Sequence, residues 1–157
     1  VGVARENLNL VQYLVANDLP FTGIVTADYM VVNPGAAKTY GVFGDIAWQD
    51  PNDPWELQKV SLTTSEGTVI PHAGVLSSSI FLNRFPTTDT NRNRHRARMT
   101  LLFFLATDIL RVGERPVDSE SISNLPNPTM NANDCKGCHS VIDPIAGTFQ
   151  NWNAGGS

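Results

Sequence analysis

Cys135-Lys136-Gly137-Cys138-His139, running on into Ser140-Val141-Ile142-Asp143-Pro144, holds both cysteines of the chain. A framework of structural disulfides is thereby excluded, and whatever the cysteines do they do together. Residues three apart lie on one side of a helical turn. Two thiols so placed can add to the two vinyl groups along one porphyrin edge. The residue after the second thiol then projects an imidazole under the ring. This is the c-type haem attachment pattern. It predicts one covalent haem c, attached through Cys135 and Cys138, with His139 as the proximal iron ligand. A thioredoxin-like redox pair would need a strand and a helix start before the first cysteine, whereas Asn127–Asp134 reads as a polar loop. A zinc site would need a fourth ligand, from His72 or His95. A local disulfide is the remaining alternative.

Working outward, the segment 112–134 is rich in Pro, Ser and Asn and reads as a long loop leading into the motif. Residues 90–111 carry Met99, Leu102, Phe103, Ala106, Ile109 and Leu110 at helical spacing, with Asp89 or Thr90 as cap and Gly113 beyond the end. Residues 4–17 predict a second amphipathic helix with a Leu8, Val11, Leu14, Val15 stripe, ended by Pro20. Thr26–Asp28 could cap a short helix that Asn33-Pro34-Gly35 interrupts, and Ala36–Tyr40 predicts one more turn closed by Gly41. Residues 44–56 read as loop, 57–71 as a small β-hairpin turning across Ser65-Glu66-Gly67, and Gly74–Leu82 as a short helix. The expected fold class is therefore mainly α with long irregular loops, one hairpin near 57–71 and a haem-wrapping C-terminal module resembling cytochrome c. A helical scaffold module over 1–111 and a haem-attachment module over 112–157 together form one compact unit.

Apolar residues make up 41% of the 157 residues, which is ordinary for a globular chain. The net charge of −4 gives no bias toward polyanions. Arg84, Arg92, Arg94, Arg96 and Arg98 crowd one stretch but form no single stripe on a helix, which argues against a nucleic-acid surface. The longest apolar run, Leu101–Ala106, is far short of the roughly 18 residues of a membrane span. Val1 opens without a basic region and apolar core, and the chain stops at Asn153-Ala-Gly-Gly-Ser157. We therefore expect a segment of a longer polypeptide, with an export signal upstream.

The run Asn127–Trp152 resembles the C-terminal haem module of large bacterial proteins described as planctomycete-type cytochromes c, in which the motif is followed by Asp-Pro, a small or apolar pair and an aromatic, here Asp143, Pro144 and Phe149. Ile24–Asn33 with Tyr40-Gly41 resembles a second module of these proteins, and His72–Leu76 with Arg84–Arg94 a third. The resemblance covers most of the chain in the expected order. It implies haem and a location outside the cytoplasm, periplasmic or extracellular, and names no substrate.

The sixth iron ligand stays open. Met130 lies five residues before Cys135, where an Asn-rich loop could fold it over the distal face. His72 sits in a narrow loop between Pro71 and Ala73-Gly74. His95 and Met99 lie one helical turn apart, and Met30 reads as core. Arg94 and Arg98 are candidates for holding haem propionates, against structural pairing with carboxylates. The same helix spacing is expected to turn both away from the face of His95. Phe149 and Trp152 follow the motif closely enough to pack on the porphyrin, whereas Trp48 and Trp55 read as loop anchors. The expected activity is one-electron transfer to a redox partner protein or neighbouring haem, with no catalytic residues assigned. A haem oxidase, peroxidase or oxygenase with an open distal site, and a scaffold using haem as a staple, are the alternatives.

Overall fold

In the computed structural model, which describes residues 2–111, 124 and 126–152 (the side chain of Asp134 excepted), the chain divides into two compact units, Val1–Arg84 and Phe85–Ser157. It is mainly helical, with one two-stranded antiparallel sheet among the described residues. The helix over Arg94–Leu105, assigned on sequence to the scaffold module, shares a unit with the cysteine motif.

In the first unit a 3-10 turn, Val3–Arg5, leads into α1, Glu6–Ala16. Its inward face is not the expected stripe. Leu10 and Leu14 are buried with Glu6 and Asn9, while Leu8 and Val15 are exposed. The 6–10–14 row is a true i, i+4 row, and the polar members Glu6 and Asn9 hid it from a reading of apolar spacing. After α2 (Gly23–Thr26) comes β1, Met30–Val32. The Val31-Val32 stretch read as helical is therefore a strand. Its alternation divides the core. Val31 packs with Leu10, Leu14 and Val75, while Met30 and Val32 pack on Ala36 and Ala37. Burying each such side chain is worth about 1.5–3 kcal/mol.

Asn33 ends the strand and starts α3, Pro34–Thr39. Its Oδ1 accepts from the Ala36 N–H at 2.8 Å, Pro34 occupies the first turn, and its Nδ2 donates to the Pro54 carbonyl at 3.0 Å. Gly41, at φ +72°, closes the helix as expected. The predicted hairpin is rearranged. Its first arm, β2 (Gln58–Val60), pairs with β1 in the register Met30–Val60, Val31–Lys59, Val32–Gln58. Only the tip turns back on itself, through a Thr63–Val69 bridge. The short helix expected over Gly74–Leu82 is α4, Ser79–Arg84.

The second unit is built on α5, Arg94–Leu105. It is shorter than the predicted 90–111 helix at both ends. Asn93 (φ +67°) precedes it, and Ala106 (φ +50°) ends it left-handed, letting the Thr107 N–H reach the Leu101 carbonyl at 3.0 Å. An alanine carries no stop signal, which is why the sequence reading ran the helix on to residue 111. The chain then folds back through a 3-10 turn, Ile109–Arg111. The predicted 112–134 loop lies mostly outside the described residues; its end is helical, as α6, Pro128–Asn131, and the start of α7, Asn133–Thr148. Ala97 and Leu101 of α5 pack on Ile142 and Ala146 of α7, with Ile109 between. Phe103, placed in the stripe on sequence, is exposed.

Arg96 is fully buried beside this seam. Its guanidinium donates to the Phe85 carbonyl (2.9 Å), Asn93 Oδ1 (3.0 Å) and the Trp152 carbonyl (3.0 Å). Asn93 Nδ2 donates to the Phe149 carbonyl at 3.1 Å. The chain leaving α7 is thus tied to the start of α5.

Candidate functional site

The cysteine motif forms the first half of α7. Cys138, Ile142 and Ala146 recur every four residues, so the face that carries the second thiol is the face packed on α5. Cys138 Sγ lies 3.5 Å from the Ile109 carbonyl, and both thiols are free and partly exposed. Pro144 lies inside the helix and has no N–H to offer the Ser140 carbonyl, so one rung is missing just below the motif.

One turn beyond Cys138, His139 and Asp143 meet across an i, i+4 spacing. His139 Nδ1 lies 3.1 and 3.0 Å from the two carboxylate oxygens of Asp143. Arg94 of α5 closes on the same carboxylate from the other side, with Nε 2.6 Å from Oδ1 and Nη2 3.2 Å from Oδ2. That clamp, opposed by partial burial and reinforced by His139, holds the Asp143 carboxyl below the usual carboxylate range, and Asp143 in turn raises the guanidinium of Arg94. An ionised carboxylate only accepts hydrogen bonds, so Nδ1 carries a proton and Nε2 is the nitrogen that the neutral ring offers to a ligand. The chemistry of the partners thus assigns the tautomer that a metal ligand requires.

His139 borders two grooves. One, of about 430 Å³, is lined by Thr129, Met130, Lys136, Gly137 and Ser140. The other, of about 330 Å³, is lined by Arg94, His95, Arg98, Cys138 and the apolar side chains of Ile109, Leu110 and Ile142. Both fall within the range of small-ligand clefts.

The remaining predicted residues are distributed as follows. Met130 is exposed on the first groove and His95 lines the second, so each borders a groove shared with His139. His95 also packs edge-on against Phe85, with centroids 5.2 Å apart. His72 belongs to the other unit, where its Nδ1 meets Ser77 Oγ at 3.3 Å. Burial pushes its imidazole down, more than Asp28 pulls it up. Both arginines proposed for propionates hold carboxylates bidentately: Arg94 on Asp143, and Arg98 on Asp108 at 3.0 and 3.0 Å. They nevertheless line the same groove as His95, contrary to the helix-face expectation, because Arg98 lies three residues from His95 and four from Arg94, spacings that share one helical face. Phe149 is buried, and Trp152 lines a separate cavity with Thr87, Asp89 and Arg92. Trp48 stacks on Phe43, and Trp55 lies under the Arg5 guanidinium, both as loop anchors.

The sequence reading named Asp143 only within the Asp-Pro pair of the family resemblance and gave it no role, although its i, i+4 spacing from His139 was visible.

The donor set fits a c-type haem. Two free thiols one turn apart and an imidazole aimed by its Nδ1 partner stand on one helix, beside a partly apolar groove. Among the described residues no cluster of three or more His, Cys, Asp or Glu side chains is arranged to hold a metal ion by itself. No described helix is long and apolar enough to cross a membrane. Comparison with protein-family models, with curated proteins and with solved structures returned no match to this chain.

Proposed function

We propose that this chain is a c-type cytochrome module that passes single electrons through one covalently bound haem. The observation that carries the reading is the alignment of Cys135, Cys138 and His139 on one helix, with His139 Nδ1 taken by Asp143. Each thiol would add across one vinyl C=C, its hydrogen passing to the neighbouring carbon, so that a thioether forms and nothing leaves. When bound, the haem supplies a reversible one-electron couple. His139 would ligate the iron through Nε2. Ile109, Leu110 and Ile142 would exclude water from the helix side of the groove, and Met130 or His95 is within the neighbourhood that could offer a sixth ligand. We place the module in a larger exported polypeptide, periplasmic or extracellular, facing a redox partner protein or a neighbouring haem.

A haem enzyme is the second reading, favoured by His95 standing in one groove with Arg94 and Arg98. Both guanidiniums are already held by carboxylates, which leaves them poorly placed to assist bond breaking. The test is mass spectrometry of the denatured chain in acidified organic solvent, followed by oxidised and reduced visible spectra. Electron transfer predicts retained haem mass, a low-spin spectrum and reversible reduction, with haem binding or the low-spin spectrum lost in His139→Ala. Loss of haem in the acidified solvent overturns covalent attachment. A five-coordinate ferric spectrum with rapid peroxide turnover promotes the enzyme.

A further inference from the structure

We propose that Asp143, clamped by Arg94, is a positioning residue for His139 that makes the imidazole a stronger donor and holds the haem site at a low reduction potential. This inference rests on the haem reading above and goes beyond it, because the motif itself says nothing about how the proximal imidazole is tuned.

The geometry carries it. Among the described residues, His139 hydrogen-bonds through Nδ1, to both oxygens of one carboxylate at 3.1 and 3.0 Å. A carboxylate on the far nitrogen of a ligating imidazole fixes the ring and raises its basicity. A more basic ligand favours the ferric over the ferrous ion, so the potential falls. The negative charge of Asp143, one imidazole away from the iron, acts in the same direction.

Arg94 works against this effect. Its two hydrogen bonds, 2.6 and 3.2 Å, hold the carboxylate in place from a helix 49 residues away in sequence. They also draw charge from the oxygens that His139 uses. The i, i+4 spacing on α7 keeps Asp143 on His139 without Arg94, so the charge that Arg94 withdraws decides the sign. The two partners should therefore tune the iron in opposite senses. A role in packing alone would loosen the helix in either variant and move the potential the same way in both.

The experiment is spectroelectrochemical titration of the haem-loaded full chain and of Asp143→Asn, Asp143→Glu and Arg94→Gln. Asp143→Asn should retain its haem and shift the ferric–ferrous equilibrium toward ferrous by about tenfold or more, about 59 mV upward for one electron. Asp143→Glu, which keeps an anionic acceptor, should recover most of that shift. Arg94→Gln should move the equilibrium the other way by at least about twofold. Shifts under about twofold in both Asp143→Asn and Arg94→Gln overturn the inference, as do shifts of the same sign. Should Asp143→Asn fail to fold, Arg94→Gln decides alone: a downward shift supports the tuning, and an unchanged or upward one overturns it. A wild-type chain that holds no haem overturns the parent reading and this inference with it, whereas haem-loaded variants at the wild-type potential overturn this inference alone.

Discussion

Replacing Arg96 with methionine keeps the aliphatic stem in the seam between α5 and α7 and deletes only the guanidinium. Among the described residues three acceptors lose a charged donor: the Phe85 carbonyl, Asn93 Oδ1 and the Trp152 carbonyl. Hydrogen bonds to a charged partner are worth about 1.5–3 kcal/mol each, and a buried acceptor left unmet costs about 1–3 kcal/mol. Against this stands the cost of burying the charge, visible as burial pushing the Arg96 guanidinium down from its ordinary value. With part of the gross loss returned in this way, and water reaching the carbonyl of the partly exposed Trp152, the net destabilisation should be about 3 kcal/mol. Arg96→Lys, which retains charge but cannot reach three acceptors at once, should fall between. Urea unfolding read through hydrogen exchange of α5 and α7 amides measures it. A loss under about 1 kcal/mol for the methionine variant would refute the claim that these bonds hold the end of α7 to the start of α5.

Two further outcomes concern the first unit. Burial raises the Glu6 carboxyl, against a Tyr40 hydroxyl at 3.0 Å and a Ser79 backbone hydrogen bond that lower it. A raised folded-state value means that its contribution to stability is complete below the unfolded value near 4.5 and is lost as pH rises through the folded one. Relative to wild type, Glu6→Gln should therefore gain stability as pH rises from 4 to 7, and parallel unfolding profiles would contradict this. Gly74 sits at φ +52° with its N–H on the Ala27 carbonyl at 2.8 Å, and a Cβ there would meet the Ile24 carbonyl. Gly74→Ala should cost about 3 kcal/mol by thermal or urea unfolding, and a loss below about 1 kcal/mol would refute the strain argument.

What could be read of the fold followed the strength of local signals. Asn33-Pro34-Gly35 is punctuation of the ordinary kind, and it does begin a helix and end a strand. Pro20 and Gly41 likewise fall just beyond helices. The inward faces were harder, because α1 turns Glu6 and Asn9 into the core and α5 turns in Arg96. A buried polar residue satisfied by a distant partner, as Glu6 is by Tyr40 and Arg96 by the Phe85 and Trp152 carbonyls, looks in sequence like a solvent-facing one. The pairing of β2 with β1 across more than 25 residues was equally hidden, since a strand of three residues carries no register signal of its own.

At the candidate site the division lies between neighbours along the helix and neighbours across it. The spacing Cys135, Cys138, His139 was enough to propose a haem, and His139–Asp143 was available at the same level of reasoning. Arg94 was not. Its identity as a charged residue near the start of a helix allowed a propionate partner, a surface pair or a clamp on another side chain, and only the packing of α5 on α7 selects the carboxylate of Asp143. The same packing sets Arg98 on Asp108. Each arginine thereby spends its fork on a carboxylate of the protein, where the planar fit is bidentate. The consequence is chemical. On the proposed haem reading, Arg94 would act on His139 through Asp143 instead of contacting a ligand, and its influence would be read in a potential before it is read in a rate.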